Sequence, residues 1–372
     1  MIIQLPDYQF GYHIVSLAKS ERTFSNLKEE HLSTIFLTGE GLYLWPENVL
    51  LCTDPAILHK FSCCDEYDVF EIDSSGKAYL YYNNESIDNA FFLTGRCNSN
   101  CIMCPASEQV RKKASYADIN HLLELINHIP SDAVHLTITG GEPFLLGRDI
   151  FRFLEALRNK FRRTNFLLLT NGRIFCVPQY CERLYQTLPP QTVLGIPIHG
   201  YNADTHDAVT QTPGSFVQTM AGLKNLLSYG FRIELRIVVS RITAPYLENM
   251  AALITEQLSQ VESVKVIGLE MLGNAAIHQE KVWIPYPEAF RSAKNAILKL
   301  ISTGIDVALY NFPLCSVDRE FWPICACSIT DYKIRYAPAC KTCDVRDACG
   351  GIFAGTYRLA AKDIMPIGDR NA

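Results

Sequence analysis

Residues 90–105 read AFFLTGRCNSNCIMCP. A short apolar run leads straight into a loop carrying Cys97, Cys101 and Cys104, spaced CxxxCxxC. Thiolates are soft ligands suited to zinc or to iron–sulfur clusters. Three of them in one short loop can hold three irons of a cubane 4Fe–4S cluster and leave the fourth iron open to a substrate or cofactor. A cluster that only carries electrons normally takes four protein cysteines. A structural zinc site also wants four ligands, and a fourth from elsewhere in the chain is compatible with the spacing.

Outward from this loop the chain alternates strand and helix. Residues 90–94, 134–139, 166–170, 193–198, 233–239 and 264–267 form β-rich apolar runs, and 305–309 is a candidate for one more. Between them, Ile119, Leu122, Leu123 and Ile126 recur at helical spacing, as do Ile150, Phe153, Leu154, Leu157 and Phe161. Helices are also expected over 178–188, 216–229, 247–258 and 287–302. About six such units predict an α/β fold, a partial (β/α)6 TIM-like barrel of parallel strands. Its chemistry belongs on the loops after the strands. Residues 1–88 read as a small N-terminal α+β appendage, 89–310 as the barrel, and 311–372 as a cysteine-rich C-terminal module where the periodicity fades.

Composition narrows the function. A chain of 372 residues, 48% hydrophobic and 20% charged, is long enough for one large domain with appendages. A formal net charge of −5 gives no reason to expect nucleic-acid binding. The apolar runs are strand-sized, shorter than a membrane span, and the first residues lack a signal-peptide pattern, so the expected location is cytoplasmic. Fourteen cysteines in a reducing compartment point to metal rather than to disulfides.

The CxxxCxxC loop after the first strand of a strand–helix repeat resembles the radical SAM superfamily. That resemblance implies a 4Fe–4S cluster on Cys97, Cys101 and Cys104, with S-adenosylmethionine (SAM) on the open iron. Met103 stands where the family often has an aromatic residue near the adenine. The second strand ends in Thr139-Gly140-Gly141-Glu142-Pro143, similar to the family's GGEP motif, which holds the SAM amino group. Paired glycines allow close backbone approach, and the Glu and nearby carbonyls can accept from an ammonium. A Gly-Gly turn with a capping Glu is the plainer alternative. Arg236 and Ser240, at the end of the fifth strand, are candidates for the SAM carboxylate and ribose. A salt bridge is the plainer role for Arg236. Leu269 and Glu270, in GLEMLGNA, resemble the adenine-side segment. Thr170-Asn171-Gly172 could be a simple turn, and His199 could be structural. No side chain is expected to act as nucleophile. The resemblance implies that the cluster and SAM would supply one-electron cleavage of SAM and hydrogen-atom abstraction from a substrate through a 5′-deoxyadenosyl radical.

The tail carries Cys315, Cys325, Cys327, Cys340, Cys343 and Cys349. The CxxCxxxxxC spacing resembles SPASM and twitch auxiliary-cluster modules, although Phe353 stands where a full SPASM module has a further cysteine. One auxiliary 4Fe–4S cluster is therefore expected on Cys340, Cys343 and Cys349. Cys315 is the expected fourth ligand, with Cys325 and Cys327 as rivals and structural zinc as the alternative filling. Together, LTGRCNSNCIMCP, TGGEPFLLG and SITDYK…CxxC…RDACGGIF resemble the His-Xaa-Ser system radical SAM maturase, C component. The resemblance implies modification, plausibly cross-linking, of a ribosomally made peptide with His-Xaa-Ser repeats. It also implies a second radical SAM protein and an electron donor such as flavodoxin or ferredoxin. Alternatives are a radical SAM enzyme on a small metabolite or RNA, a glycyl-radical activating enzyme, and a non-enzymatic iron–sulfur or zinc scaffold.

Overall fold

The computed structural model describes residues 1–6 and 8–368. The N-terminal region builds a seven-stranded sheet. It comprises β1 (Ile2–Gln4), β2 (His13–Ala18), β3 (Thr34–Leu37), β4 (Leu42–Trp45), β5 (Val49–Cys52), β6 (Val69–Ile72) and β7 (Lys77–Tyr82), ordered β1-β7-β6-β2-β3-β4-β5. Only the β2–β3 pair is parallel, because helix α1 (Glu21–Glu29) carries the chain across between them. Ser20 starts α1 by accepting from Thr23 N at 3.2 Å. Helix α2 (Pro55–Ser62) starts at Asp54, which accepts from Ala56 N, and has Pro55 in its first turn. Ile3, Val15, Leu17, Ile35, Phe61 and Phe70 form this sheet's own core.

The second sheet is the curled parallel sheet that the alternation predicts. Its strands are β8 (Ala90–Phe92), β9 (His135–Thr139), β10 (Asn165–Leu169), β11 (Thr192–Pro197), β12 (Arg232–Val239), β13 (Ser263–Gly268), β14 (Asp306–Tyr310) and β15 (Cys325–Ala326). They lie in sequence order and every neighbouring pair is parallel. The connecting helices are α3 (Glu108–Lys113), α4 (Ile119–His128), α5 (Asp149–Lys160), α6 (Pro178–Thr187), α7 (Ala203–Thr210), α8 (Ser215–Ser228), α9 (Leu247–Gln257), α10 (Gly273–Ile277), α11 (Gln279–Val282) and α12 (Tyr286–Ser302). Side chains alternate across each strand. In β12, Ile233, Leu235, Ile237 and Val239 are buried, while Arg236 and Val238 are half-buried on the other face.

Two features depart from the sequence reading. Strand β15 continues the sheet beyond residue 310, pairing Leu309 with Cys325 and Tyr310 with Ala326, so the cysteine-rich tail is stitched to the barrel edge. A two-residue strand has no periodicity to read. Helix α3 is likewise too short to show a helical face, although Ser107 caps it by accepting from Val110 N. Beyond β15, short turns lead to a two-stranded ribbon, β16 (Ile334–Arg335) with β17 (Ile352–Phe353), and to α13 (Tyr357–Ala360).

Helix α4 joins the two sheets. Its buried His128 pairs with Ser16 of β2 (Nδ1 to Oγ, 2.9 Å), and His121 lies between Glu71 at 2.9 Å and Tyr12 at 3.1 Å. No helix among the described residues is long and apolar enough to cross a membrane.

Candidate active site

Cys97, Cys101 and Cys104 lie on the loop after β8, and the fold holds this loop from four directions. From α7, Thr210 O accepts Asn100 N at 3.0 Å and Val209 O accepts Ile102 N at 2.8 Å. From the loop after β10, Arg173 donates to Asn98 O at 2.7 Å and to Ser99 Oγ at 2.9 Å, while Asn171 Nδ2 reaches Asn98 Oδ1 at 2.6 Å. From α10, Asn274 N donates to Cys104 O at 2.9 Å, and its side-chain amide donates to Cys101 O at 3.0 Å and Asn100 Oδ1 at 3.1 Å. From α3, Arg111 donates to Ser99 O at 2.6 Å and to Asn100 Oδ1. These bonds fix the loop that presents the three sulfurs.

The thiols feel one another. Burial, then the neighbouring Cys97 and Cys104, push the Cys101 thiol up to about 12. Burial also raises Cys97, and a hydrogen bond from Ser99 N opposes it. Metal binding needs thiolates, so these cysteines release protons as metal enters.

The Gly140–Gly141 step explains its own composition. A Cβ on Gly140 would lie 2.5 Å from Thr94 O, and one on Gly141 would lie 2.1 Å from Arg96 O. The loop after β9 is thus pressed against the start of the cysteine loop, with Gly141 N bonded to Thr94 O and Glu142 N to Arg96 O. Glu142 is buried. Its carboxylate accepts Thr170 Oγ1 at 2.8 Å, Asn171 N at 2.7 Å and Phe144 N at 3.1 Å. Burial pushes its pKa up, opposed by those donors. The carboxylate thus ties β9's loop to β10's. Pro143 begins the short helical turn that follows and is buried with Phe144.

The remaining sequence candidates scatter. Met103 and Leu269 are buried in the main core. Glu270 is half-buried, and burial raises its pKa against the pull of Lys333. Ser240 is fully buried, with its hydroxyl 3.2 Å from Thr243 Oγ1. Arg236 lies inside the barrel, donating to Glu234 at 2.6 Å with its guanidinium 5.8 Å from the Tyr310 ring centre. His199 is buried beside His206, and burial drives its pKa down to about 3, so it stays neutral. The sequence reading missed Arg111, Arg173, Asn171 and Asn274 as loop supports. Asn274, which follows the turn glycine Gly273 (φ +54°), and Asn171, which precedes Gly172 (φ +74°), carry a local signal; Arg111 and Arg173 carry none.

At the other end of the barrel edge, Cys315, Cys340, Cys343 and Cys349 line one enclosed pocket with Leu314, Tyr336, Ile352 and Ile364. The cavity among them is small, about 20 Å³. Burial, then Cys349, Cys340 and Cys343, raise the Cys315 thiol to about 11. Cys325 and Cys327 do not line this pocket. Cys325 Sγ faces Phe321 O at 3.5 Å and Cys327 Sγ faces Ala348 O at 3.6 Å. Cys327 instead lines a separate cavity with Asp88, His135, Thr137, Leu167, Arg236 and Tyr310.

The donor sets fit iron–sulfur clusters in number: three cysteines from one loop, and four around one small pocket, a set that a structural zinc ion would satisfy equally. Among the described residues no three His, Cys, Asp or Glu side chains close on a single-ion position.

Residues 91–254 match the sequence profile of the Radical SAM superfamily. The chain is 29% identical over 153 residues to an AdoMet-dependent heme synthase of Methanosarcina barkeri, covering 41% of this chain and 42% of that protein. It is 26% identical over 151 residues to AlbA of Bacillus subtilis, an antilisterial bacteriocin subtilosin biosynthesis protein, covering 40% and 32%. The chain thus spans about two fifths or less of the length of these curated relatives. Among solved structures, SuiB of Streptococcus suis aligns with a TM-score of 0.48 at 12% identity, over 59% of this chain and 48% of that one. The structure of anSMEcpe with bound AdoMet aligns at 0.47 and 16% identity, over 59% and 62%. Over residues 91–254 the chain is thus similar to the Radical SAM superfamily.

Proposed function

We propose that this chain is a radical SAM enzyme that modifies a ribosomally made peptide, that the peptide carries His-Xaa-Ser repeats, and that the modification is a cross-link. Cys97, Cys101 and Cys104 would hold the SAM-binding cluster. The Gly140–Gly141 backbone would take the SAM ammonium, and Met103 and Leu269 would form the apolar wall beside the adenine. Arg236 and Glu270 remain candidates for polar contacts, and Ser240 would have to leave its turn with Thr243 to join them. When bound, cluster and SAM supply one-electron cleavage of the C5′–S bond and hydrogen-atom abstraction.

One observation carries the peptide reading. The cavity lined by His135, Arg236 and Tyr310 neighbours the four-cysteine pocket: Cys327 lines the first, Cys349 lines the second, and Cys327 Sγ lies 3.6 Å from Ala348 O. A second cluster on Cys315, Cys340, Cys343 and Cys349 would thus stand beside the substrate space, able to take an electron from a substrate radical. Similarity to a bacteriocin biosynthesis protein supports the same substrate class. A second radical SAM protein and a flavodoxin or ferredoxin would complete the system.

Anaerobic incubation with the repeat peptide, SAM and a reductant, followed by mass spectrometry, tests the proposal. Loss of two hydrogens per modified site is expected. An unchanged peptide alongside abundant 5′-deoxyadenosine, with the second radical SAM protein present, would exclude that substrate. Similarity to an AdoMet-dependent heme synthase favours a second reading, a small-molecule substrate. Turnover of an added tetrapyrrole with the peptide untouched would select it.

A further inference from the structure

Arg111 is buried, 6% exposed, yet no carboxylate pairs with it among the described residues. The nearest acidic residue on its helix, Glu108, is taken by Lys112 at 2.6 Å. Two of its nitrogens are held by the cysteine loop itself, Nη1 on Ser99 O and Nη2 on Asn100 Oδ1. The third, Nε, is buried with no acceptor. A guanidinium removed from water without a counter-charge is costly, and so is an unpaired buried donor. Both costs need an acceptor at this position. The Glu108 carboxylate within its electrostatic reach is exposed and bound to Lys112, whereas Arg111 and Cys97 line one cavity together with Ser99 and Asn100.

We propose that Arg111 is the built-in counter-charge of the SAM-binding cluster and raises the cluster's reduction potential, its unpaired Nε–H being left free to donate there. Arg111 is a positioning and tuning residue, because it acts through the loop and the cluster and not on the substrate. The inference rests on the radical SAM reading. The step it governs is a single electron passing from an external one-electron donor, which is oxidised, to the cluster, which is reduced and gains negative charge. A fixed cation beside the sulfurs favours the more negative state. Arg173 does not duplicate the role, since its Nη1 is held by Asn98 O and Ser99 Oγ, its Nε by Gln218, and the Glu142 carboxylate lies within its electrostatic reach.

The test is a redox titration of the anaerobically reconstituted full chain. The low-temperature EPR signal that changes on adding SAM identifies this cluster, and dithionite serves as reductant. Arg111→Gln should lower the ratio of reduced to oxidised cluster at a fixed potential at least tenfold, which is a fall of about 59 mV in midpoint for one electron. Arg111→Lys keeps the charge without the planar fork and should stay close to wild type. If Arg111→Gln loads iron normally and its midpoint is unchanged, the inference is overturned. If Arg111→Gln fails to hold iron, the lysine variant decides. A loaded lysine variant with the wild-type midpoint supports the role of charge, and one whose midpoint falls by the same tenfold ratio overturns it. A wild-type chain with no SAM-responsive signal would overturn the radical SAM reading and this inference together, whereas a SAM-responsive wild type with an indifferent Arg111 would overturn only the latter.

Discussion

The Glu142 carboxylate accepts the Thr170 hydroxyl at 2.8 Å, joining the ends of two neighbouring barrel strands. With Asn171 N and Phe144 N it completes a buried cage of donors around one acid. Removing the acid leaves three donors buried and unpaired. Glu142→Ala is expected to destabilise the chain by roughly 3–5 kcal/mol, read from denaturant unfolding. Glu142→Gln keeps an acceptor oxygen and should cost less than half as much. An alanine variant as stable as wild type would show that the contact is incidental.

Asn274 makes three backbone or side-chain bonds to the cysteine loop and receives Glu108 N at 3.0 Å. Asn274→Ala should free the loop and lower its hold on metal. Iron retained after anaerobic gel filtration is expected to fall by about half or more, for a loss on the order of 1–3 kcal/mol. Retention equal to wild type would mean that the α7 and Arg173 contacts suffice.

The auxiliary pocket separates the six tail cysteines. Cys315→Ala, Cys340→Ala, Cys343→Ala and Cys349→Ala should each remove the second cluster and about half of the bound iron. Cys325→Ala and Cys327→Ala should leave iron content unchanged, since both side chains lie outside that pocket. Loss of iron in the Cys327 variant but not in the Cys315 variant would reverse the ligand assignment.

His128 gives the fold an acid-sensitive joint. Burial, then Lys160, depresses its pKa from 6.5 to about 4. A histidine with a lowered folded pKa binds its proton more readily when unfolded, so stability is lost as pH falls from 6.5 towards 4 and is fully present above 6.5. The loss from this group is on the order of 3 kcal/mol. His199 and His206, driven down to about 3 and about 4 mainly by burial, add to it with the same sign. Thermal melts between pH 8 and 4 should show the fall. His128→Gln, which can still face Ser16, should flatten part of it, and an unaltered profile would remove His128 from the account.

How much of this was legible depends on whether the cause is local. The strands from β9 to β14 announce themselves because each presents an apolar face to a covering helix, as Ile233, Leu235 and Ile237 do. The cysteine loop and the glycine pair are legible because their chemistry is written in adjacent residues. The supports are not. Arg111, Arg173 and Asn274 are polar residues on short helices or loops, and their partners lie up to 174 positions away. The N-terminal sheet reads only as β-rich because its strands are three to six residues long and one pair is parallel among antiparallel neighbours. Choosing Cys315 as a pocket-lining cysteine over Cys325 follows from where β15 pins the chain, which spacing alone leaves open.

The account stands on the three sulfurs of Cys97, Cys101 and Cys104. The most direct measurement is 5′-deoxyadenosine formed from SAM by the anaerobically reconstituted chain under dithionite, for wild type and for the alanine variant of each of these cysteines. Reductant-dependent product in the wild type, absent from all three variants, is the predicted result. A preparation that holds only zinc at this loop, or an alanine variant that forms product at the wild-type rate, would contradict it.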